Sequence, residues 1–189
     1  MNLFGAPKYN GYFKRGNTAL PICGVCTNSA YKRPLKEVQV NDTLTAGMPL
    51  KVSNKAGLAT QTTAVNAGQS LAPNVFSAEK GTDRIDGFLI DSPNFVLEDG
   101  DEAPAARAGQ IVYAALVGSG AELYLPCLDG LIGYDPTQPL KLNDQGQLNL
   151  ATGTAVNATV LSQVVKGIRF KIDADKVKAE EVMAVKVRL

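Results

Sequence analysis

After residue 35 the chain alternates apolar and polar residues with a period of two, and the breaks are rich in Gly, Asn, Asp and Pro. Val38 and Val40 alternate with Glu37 and Gln39. Met48-Pro49-Leu50-Lys51-Val52 is followed by a polar turn at 53–57 and then by Leu58-Ala59-Thr60. That is a hairpin pattern, because Asn and Gly in the gap supply the positive φ such turns need. Residues 64–82 read as a loop with room for one short helical turn. Strand character resumes at 86–90 and 95–97, 110–117 is apolar enough for a buried strand, and 122–125 follows.

The C-terminal segments carry the clearest sheet signal. Ile168, Phe170 and Ile172 alternate with Arg169 and Lys171, and Met183, Val185, Val187 and Leu189 alternate with Ala184, Lys186 and Arg188. One apolar and one basic face mark a half-buried antiparallel pair. Residues 173–181 are read as the connection, with space for one helical turn. The basic face reads first as a solvated surface that keeps a sheet edge from aggregating, and second as a surface for an acidic partner.

The pattern also repeats. Pro49-Leu50-Lys51-Val52-Ser53-Asn54 matches Pro139-Leu140-Lys141-Leu142-Asn143-Asp144, and Thr63-Ala64-Val65-Asn66-Ala67 matches Thr154-Ala155-Val156-Asn157-Ala158. The offsets of 90 and 91 agree to within one residue. A duplicated β-hairpin unit follows, with 49–60 and 139–150 expected to superpose. Two copies are too few for a solenoid.

Residues 1–35 have no sustained period. Tyr9, Tyr12, Phe13 and Tyr31 lie among Gly and Pro, with Lys14, Arg15, Lys32 and Arg33 interleaved. Two readings stand: an extended arm that packs by its aromatics onto a partner, or an irregular segment lying on its own domain. The expected organisation is therefore an arm at 1–35, a β domain at 36–130, and a second hairpin with C-terminal strands at 131–189, packed into the same body.

Composition narrows the function. The chain has 189 residues, 45% of them hydrophobic and 20% charged, enough for a sizeable core. The net charge of +1 gives no long-range field for nucleic acid or an anionic membrane. The longest apolar stretch, 111–117, is too short to span a bilayer. The start lacks a secretory leader's apolar core, which places synthesis in a cytoplasm. His is absent, which removes Ser-His-Asp triads, Cys-His pairs and imidazole ligands, and leaves only carboxylate, Lys or Tyr chemistry. The chain is read as a non-enzyme.

The remaining motifs are weak. Cys23-Gly24-Val25-Cys26 has the spacing of a zinc half-site, but only Cys127 remains to extend it. No metal, no cofactor and no Cys23–Cys26 disulfide are expected. The run Glu98-Asp99-Gly100-Asp101-Glu102 lacks the ligand spacing of a calcium loop and reads as a turn with solvated charges.

The segments Ala46-Gly47-Met48-Pro49-Leu50-Lys51-Val52, Gly57-Leu58-Ala59, Ile85-Asp86-Gly87-Phe88-Leu89-Ile90 and Ala108-Gly109-Gln110-Ile111-Val112-Tyr113 resemble the decoration (cement) proteins of tailed phages. About half the chain is covered, by short motifs. The resemblance implies an all-β, mainly antiparallel fold, a small β-barrel, β-tulip or sandwich with an extended N-terminal arm and little helix. It also implies a homotrimer on the capsid exterior, made in the bacterial cytoplasm, with the major capsid protein as partner and neither nucleic acid nor membrane involved. Tyr9, Tyr12, Phe13, Lys14, Arg15, Tyr31, Lys32 and Arg33 become the candidate capsid-binding residues. Another virion component, such as a head-fibre base or tail protein, is the alternative, followed by a carbohydrate-binding module, which the absence of Trp disfavours.

Overall fold

The computed structural model describes residues 12–28, 35–52, 72–78, 84–128 and 138–189. The described residues form strands and turns without a helix, so the protein is all-β, as expected. Five strands, β3 (Leu35–Val40), β4 (Pro49–Val52), β5 (Asn74–Ser77), β6 (Gly87–Leu89) and β7 (Ile111–Leu116), close into a barrel in the order β3-β5-β4-β6-β7. Only β3–β5 is parallel; the other pairings are antiparallel. The alternation read from the sequence supplies the interior. Val38, Val40, Leu50, Val75, Leu89 and Val112 are buried together, joined by Leu44, Phe95 and Ala106 from the connections. At Gly87 a Cβ would lie 2.4 Å from the Ala115 carbonyl oxygen, so only glycine lets β6 lie this close to β7.

A second, open sheet is built on β14 (Lys176–Arg188), the longest strand. Its first part pairs with β13 (Val165–Asp173). Its last part lies between β8 (Glu122–Pro126) and β12 (Thr159–Val160). The expected connection at 173–181 is therefore mostly strand. The turn is only Ala174-Asp175, at φ 46° and 63°. Charge hid the strand: Lys176, Lys178, Glu180 and Glu181 mask the period of two, and they are held by partners elsewhere, as in Arg169–Glu180, Lys166–Glu181 and Lys176 on the Asp99 carbonyl.

A small third sheet places β9 (Leu140–Leu142) between β10 (Leu148–Asn149) and β11 (Thr154–Val156). The second repeated hairpin thus exists. In the first, β4 pairs with β5 and β6, and the counterpart of β10 and β11 at 53–71 lies outside the described residues, as does the comparison of the two copies.

One apolar cluster unites these parts. Ile85, Phe88 and Ala115 of the barrel wall pack with Leu123, Leu125, Val185 and Val187 of the open sheet and with Leu140, Leu142 and Leu148. β8, assigned from sequence to the first domain, pairs with C-terminal β14.

The N-terminal region differs most from expectation. β1 (Tyr12–Arg15) and β2 (Thr18–Pro21) form a hairpin around Gly16. The chain then enters the body. Leu20, Ile22 and Cys23 are buried, and Cys23 N–H donates to the Ile168 carbonyl at 2.8 Å. Gly24 N–H donates to Tyr124 O at 2.9 Å and Thr27 N–H to Glu122 O at 2.7 Å. A Cβ on Gly24, at φ 85°, would lie 2.1 Å from the Gly47 nitrogen, so glycine is needed where this segment crosses the barrel entrance. An arm over all of 1–35 is thus corrected: residues 18–28 are body. Isolated bridges and single hydrogen bonds hold them, and such contacts leave no period in the sequence. Residues 1–11 and 29–34 lie outside the described residues.

Candidate functional site

The residues nominated from sequence do not converge in one described place. Tyr9, Tyr31, Lys32 and Arg33 lie outside the described residues. Tyr12, Lys14 and Arg15 sit on β1, opposite Pro21, Ala19 and Thr18. Phe13 is half-buried and meets the Phe170 ring edge-on, with centroids 6.3 Å apart. That contact belongs to a core of Leu20, Ile22, Ala105, Ile168 and Val177, so Phe13 supports the fold of this end of the molecule.

Phe170 also lines a groove of about 610 Å³ where the barrel, the open sheet and the third sheet meet. Met48 and Pro49 lead into β4, Ile85 precedes β6, and Pro126 ends β8. The opposite wall is the β9–β10 turn, Asn143 to Gly146, with Arg169 to Ile172 of β13 beside it. The turn is rigid for a local reason. Asn143 Oδ1 accepts from the N–H groups of Gln145 and Gln147 at 3.0 and 2.9 Å, and Gly146 takes φ 71°.

The cations of the groove are already committed. Arg169 Nε donates to Glu180 Oε2 at 2.6 Å and Nη1 to the Gln145 carbonyl at 2.7 Å, while Lys171 Nζ reaches Glu180 Oε1 at 3.2 Å. Partial burial pushes the Glu180 carboxyl up, but hydrogen bonds from Arg169 and Lys171 outweigh it and hold its pKa below the ordinary value. The other two members of the basic face repeat the device. Lys186 and Arg188 share Glu122 at 3.3 and 2.6 Å, and the Arg188 hydrogen bond is the main cause that lowers the Glu122 pKa. Two cations around one carboxylate still leave each cluster a net charge of about +1, but the side chains are held by carboxylates of the same sheet. The groove offers shape and apolar contact with a hydrogen-bonding rim, and among the described residues no acid–base pair is poised in it.

The thiols are placed for packing. Cys23 and Cys127 are buried, and desolvation pushes the Cys23 pKa well above the ordinary thiol value. Cys26 Sγ donates to Asn28 Oδ1 at 3.4 Å. All three are thiols outside any disulfide, and among the described residues no group of three His, Cys, Asp or Glu side chains is placed to hold a metal ion.

The acidic turn differs from its sequence reading. Asp101 is partly buried, with its side chain turned in: the carboxylate is ion-paired with Arg107 and accepts at Oδ1 from Val177 N–H at 2.9 Å. Burial raises its pKa, but the N–H groups of Val177 and Glu98, with the Arg107 guanidinium, outweigh it and leave it lowered. Sequence reading also missed Asn28. Its Nδ2 donates to Gly120 O and its Oδ1 accepts from Glu122 N–H, both at 2.9 Å. A lone Asn in an aperiodic stretch carries no signal for that role.

No protein family, curated protein or solved structure matches the chain.

Proposed function

We propose that this protein is a virion structural protein that binds the outer surface of an assembled phage capsid and stabilises it by bridging neighbouring subunits. One observation carries the reading. The segments resembling cement proteins are far apart in sequence, yet 46–52, 85–90 and 108–113 meet in one unit: β4 pairs with β6, and β6 with β7. Three of the four segments thus share one closed barrel, which supports the reading; the fourth, 57–59, lies outside the described residues.

In this reading the barrel is the rigid body and the aromatic and basic residues of the N-terminal 35 are the anchor. Tyr9, Tyr12 and Tyr31 supply apolar area worth about 1–3 kcal/mol each when desolvated. Lys14, Arg15, Lys32 and Arg33 meet shell carboxylates and contribute less where exposed. Many copies acting together stabilise a shell through modest contacts, by linkage to the assembled state. The partner is the major capsid protein, and the protein acts as a homotrimer.

The test is co-sedimentation with undecorated heads of its own phage. The intact chain is expected to pellet with the heads and to raise the temperature at which they break. A chain lacking residues 1–11 is expected to melt cooperatively and to bind less. Truncation at residue 35 is unsuitable, since it removes buried Ile22 and Cys23. Heads left bare by the intact chain at micromolar concentration would sink the proposal.

A further inference from the structure

The acidic turn at 98–102 covers one edge of β14. Along this strand Val177 and Ala179 direct backbone groups away from β13. Val177 N–H donates to Asp101 Oδ1 at 2.9 Å, and its carbonyl accepts from Glu102 N–H at 2.9 Å. Ala179 N–H donates to Glu102 Oε2 at 2.8 Å. Lys176 Nζ donates to Asp99 O at 2.7 Å, and Lys178 Nζ lies 3.6 Å from Glu102 Oε1. Residues 98–102 thus satisfy a strand edge without forming a strand, largely through carboxylates. Beyond them β14 is covered again, where Met183 O accepts from Cys127 N–H at 2.9 Å and β8 begins. An uncovered edge of this length is a template for pairing with another chain.

We propose that residues 98–102 are a displaceable guard, and that once they let go this edge of β14 pairs antiparallel with the same edge in a second copy. The strand's own charges select that occupant. Pairing about a two-fold axis at Ala179 sets Val177 opposite Glu181 of the second copy, which uses the backbone groups the guard now occupies. It also sets Lys178 opposite Glu180 of the second copy, an opposite-charge pair at a position where side chains approach most closely.

Acid is the natural release. The charged groups facing Asp101 are Arg107 and Lys176. Glu98 shares Arg107, at 3.3 Å from its Nε, and Lys178 faces Glu102. Protonating Asp101 removes the charge that holds both Arg107 and the Val177 N–H.

Sedimentation velocity on the full chain tests the proposal. Acidification of the wild type, Asp101→Asn, and Glu102→Ala at neutral pH are each expected to add a species of twice the wild-type mass, with the double variant associating at least about tenfold more tightly. Ala179→Pro removes the outward N–H and is tolerated at an edge, so it should abolish the added species. In the Glu102→Ala background, where Lys178 no longer holds the guard, Lys178→Glu should weaken it by setting like charges opposite each other. Circular dichroism identifies any variant that fails to fold; Glu102 is half exposed, so Glu102→Ala gives a reading even if Asp101→Asn does not. Absence of a new species under all these conditions overturns the proposal, as does one that persists with Ala179→Pro. Head binding does not enter this readout, so the capsid proposal stands or falls separately.

Discussion

The barrel and the open sheet solve one problem in two ways. A strand edge exposes unpaired backbone groups, and the barrel removes its edges by closing β3 onto both β5 and β7. Its described interior is one apolar cluster, from Val38 to Ala114. The sheet around β14 stays open, and its edges are covered piecemeal. Residues 22–28 lie against β13 and β8, the acidic turn caps Val177 and Ala179, and shared carboxylates tie the basic side chains down. Closure leaves stability to hydrophobic burial. Openness transfers part of it to polar contacts that respond to pH and salt.

The strongest way to break this contrast is to remove a side chain from each region. Leu89 is fully buried inside the barrel, so Leu89→Ala is expected to cost about 2–5 kcal/mol in urea unfolding. Glu122 holds two cations in the open sheet, but Arg188 is half exposed, and Glu122→Gln is expected to cost under about 1 kcal/mol. Equal losses would mean that the ion pairs carry as much stability as the core.

The second test sharpens the polar side. Asp101 has a lowered pKa in the folded protein, so its contribution is fully present above the ordinary aspartate range. It is lost as the pH falls through the lowered value. Asp101→Asn is expected to cost about 1–3 kcal/mol at neutral pH, since it weakens a buried, charge-assisted hydrogen-bond network. It should also flatten the decline of wild-type stability as the pH is taken down through and below the ordinary aspartate range. Unfolding measured across that range checks both, and parallel slopes would remove Asp101 from the acid response.

The same contrast explains what was legible in the sequence. Barrel strands announce themselves because one face is dry, so Val38, Val40 and 110–117 alternate or run apolar. The first half of β14 was read as a connection because its charges are neutralised by neighbours distant in sequence, and pairing of that kind leaves no local period. The burial of Ile22 and Cys23 was illegible for a related reason, since single bridges to Ile168 and Leu123 position that segment. The groove was half legible. Met48, Pro49, Ile85, Arg169 and Lys171 had all been singled out, but only the fold brings them to one place.

A small effect of opposite sign lies at the hairpin that joins β13 to β14. Ala174 and Asp175 both take positive φ, at 46° and 63°, the two-residue geometry whose twist matches the flanking strands. Alanine is a poor occupant of the left-handed region, because its Cβ crowds the following carbonyl. Asn tolerates that region and Gly enters it without a steric cost, so Ala174→Asn with Asp175→Gly should relieve strain on the open side of the molecule. The expected gain is about 1 kcal/mol, set by the turn alone, less what the added glycine loses in chain entropy. Thermal and urea unfolding should both move in the stabilising direction, with the slope on denaturant unchanged. If the barrel and the sheet unfold as one cooperative unit through their shared core, this gain should offset part of the loss from Leu89→Ala in a combined variant. The two sites share no partner, so the effects should add. A gain that vanishes in the Leu89→Ala background would mean that the barrel melts on its own, ahead of the sheet.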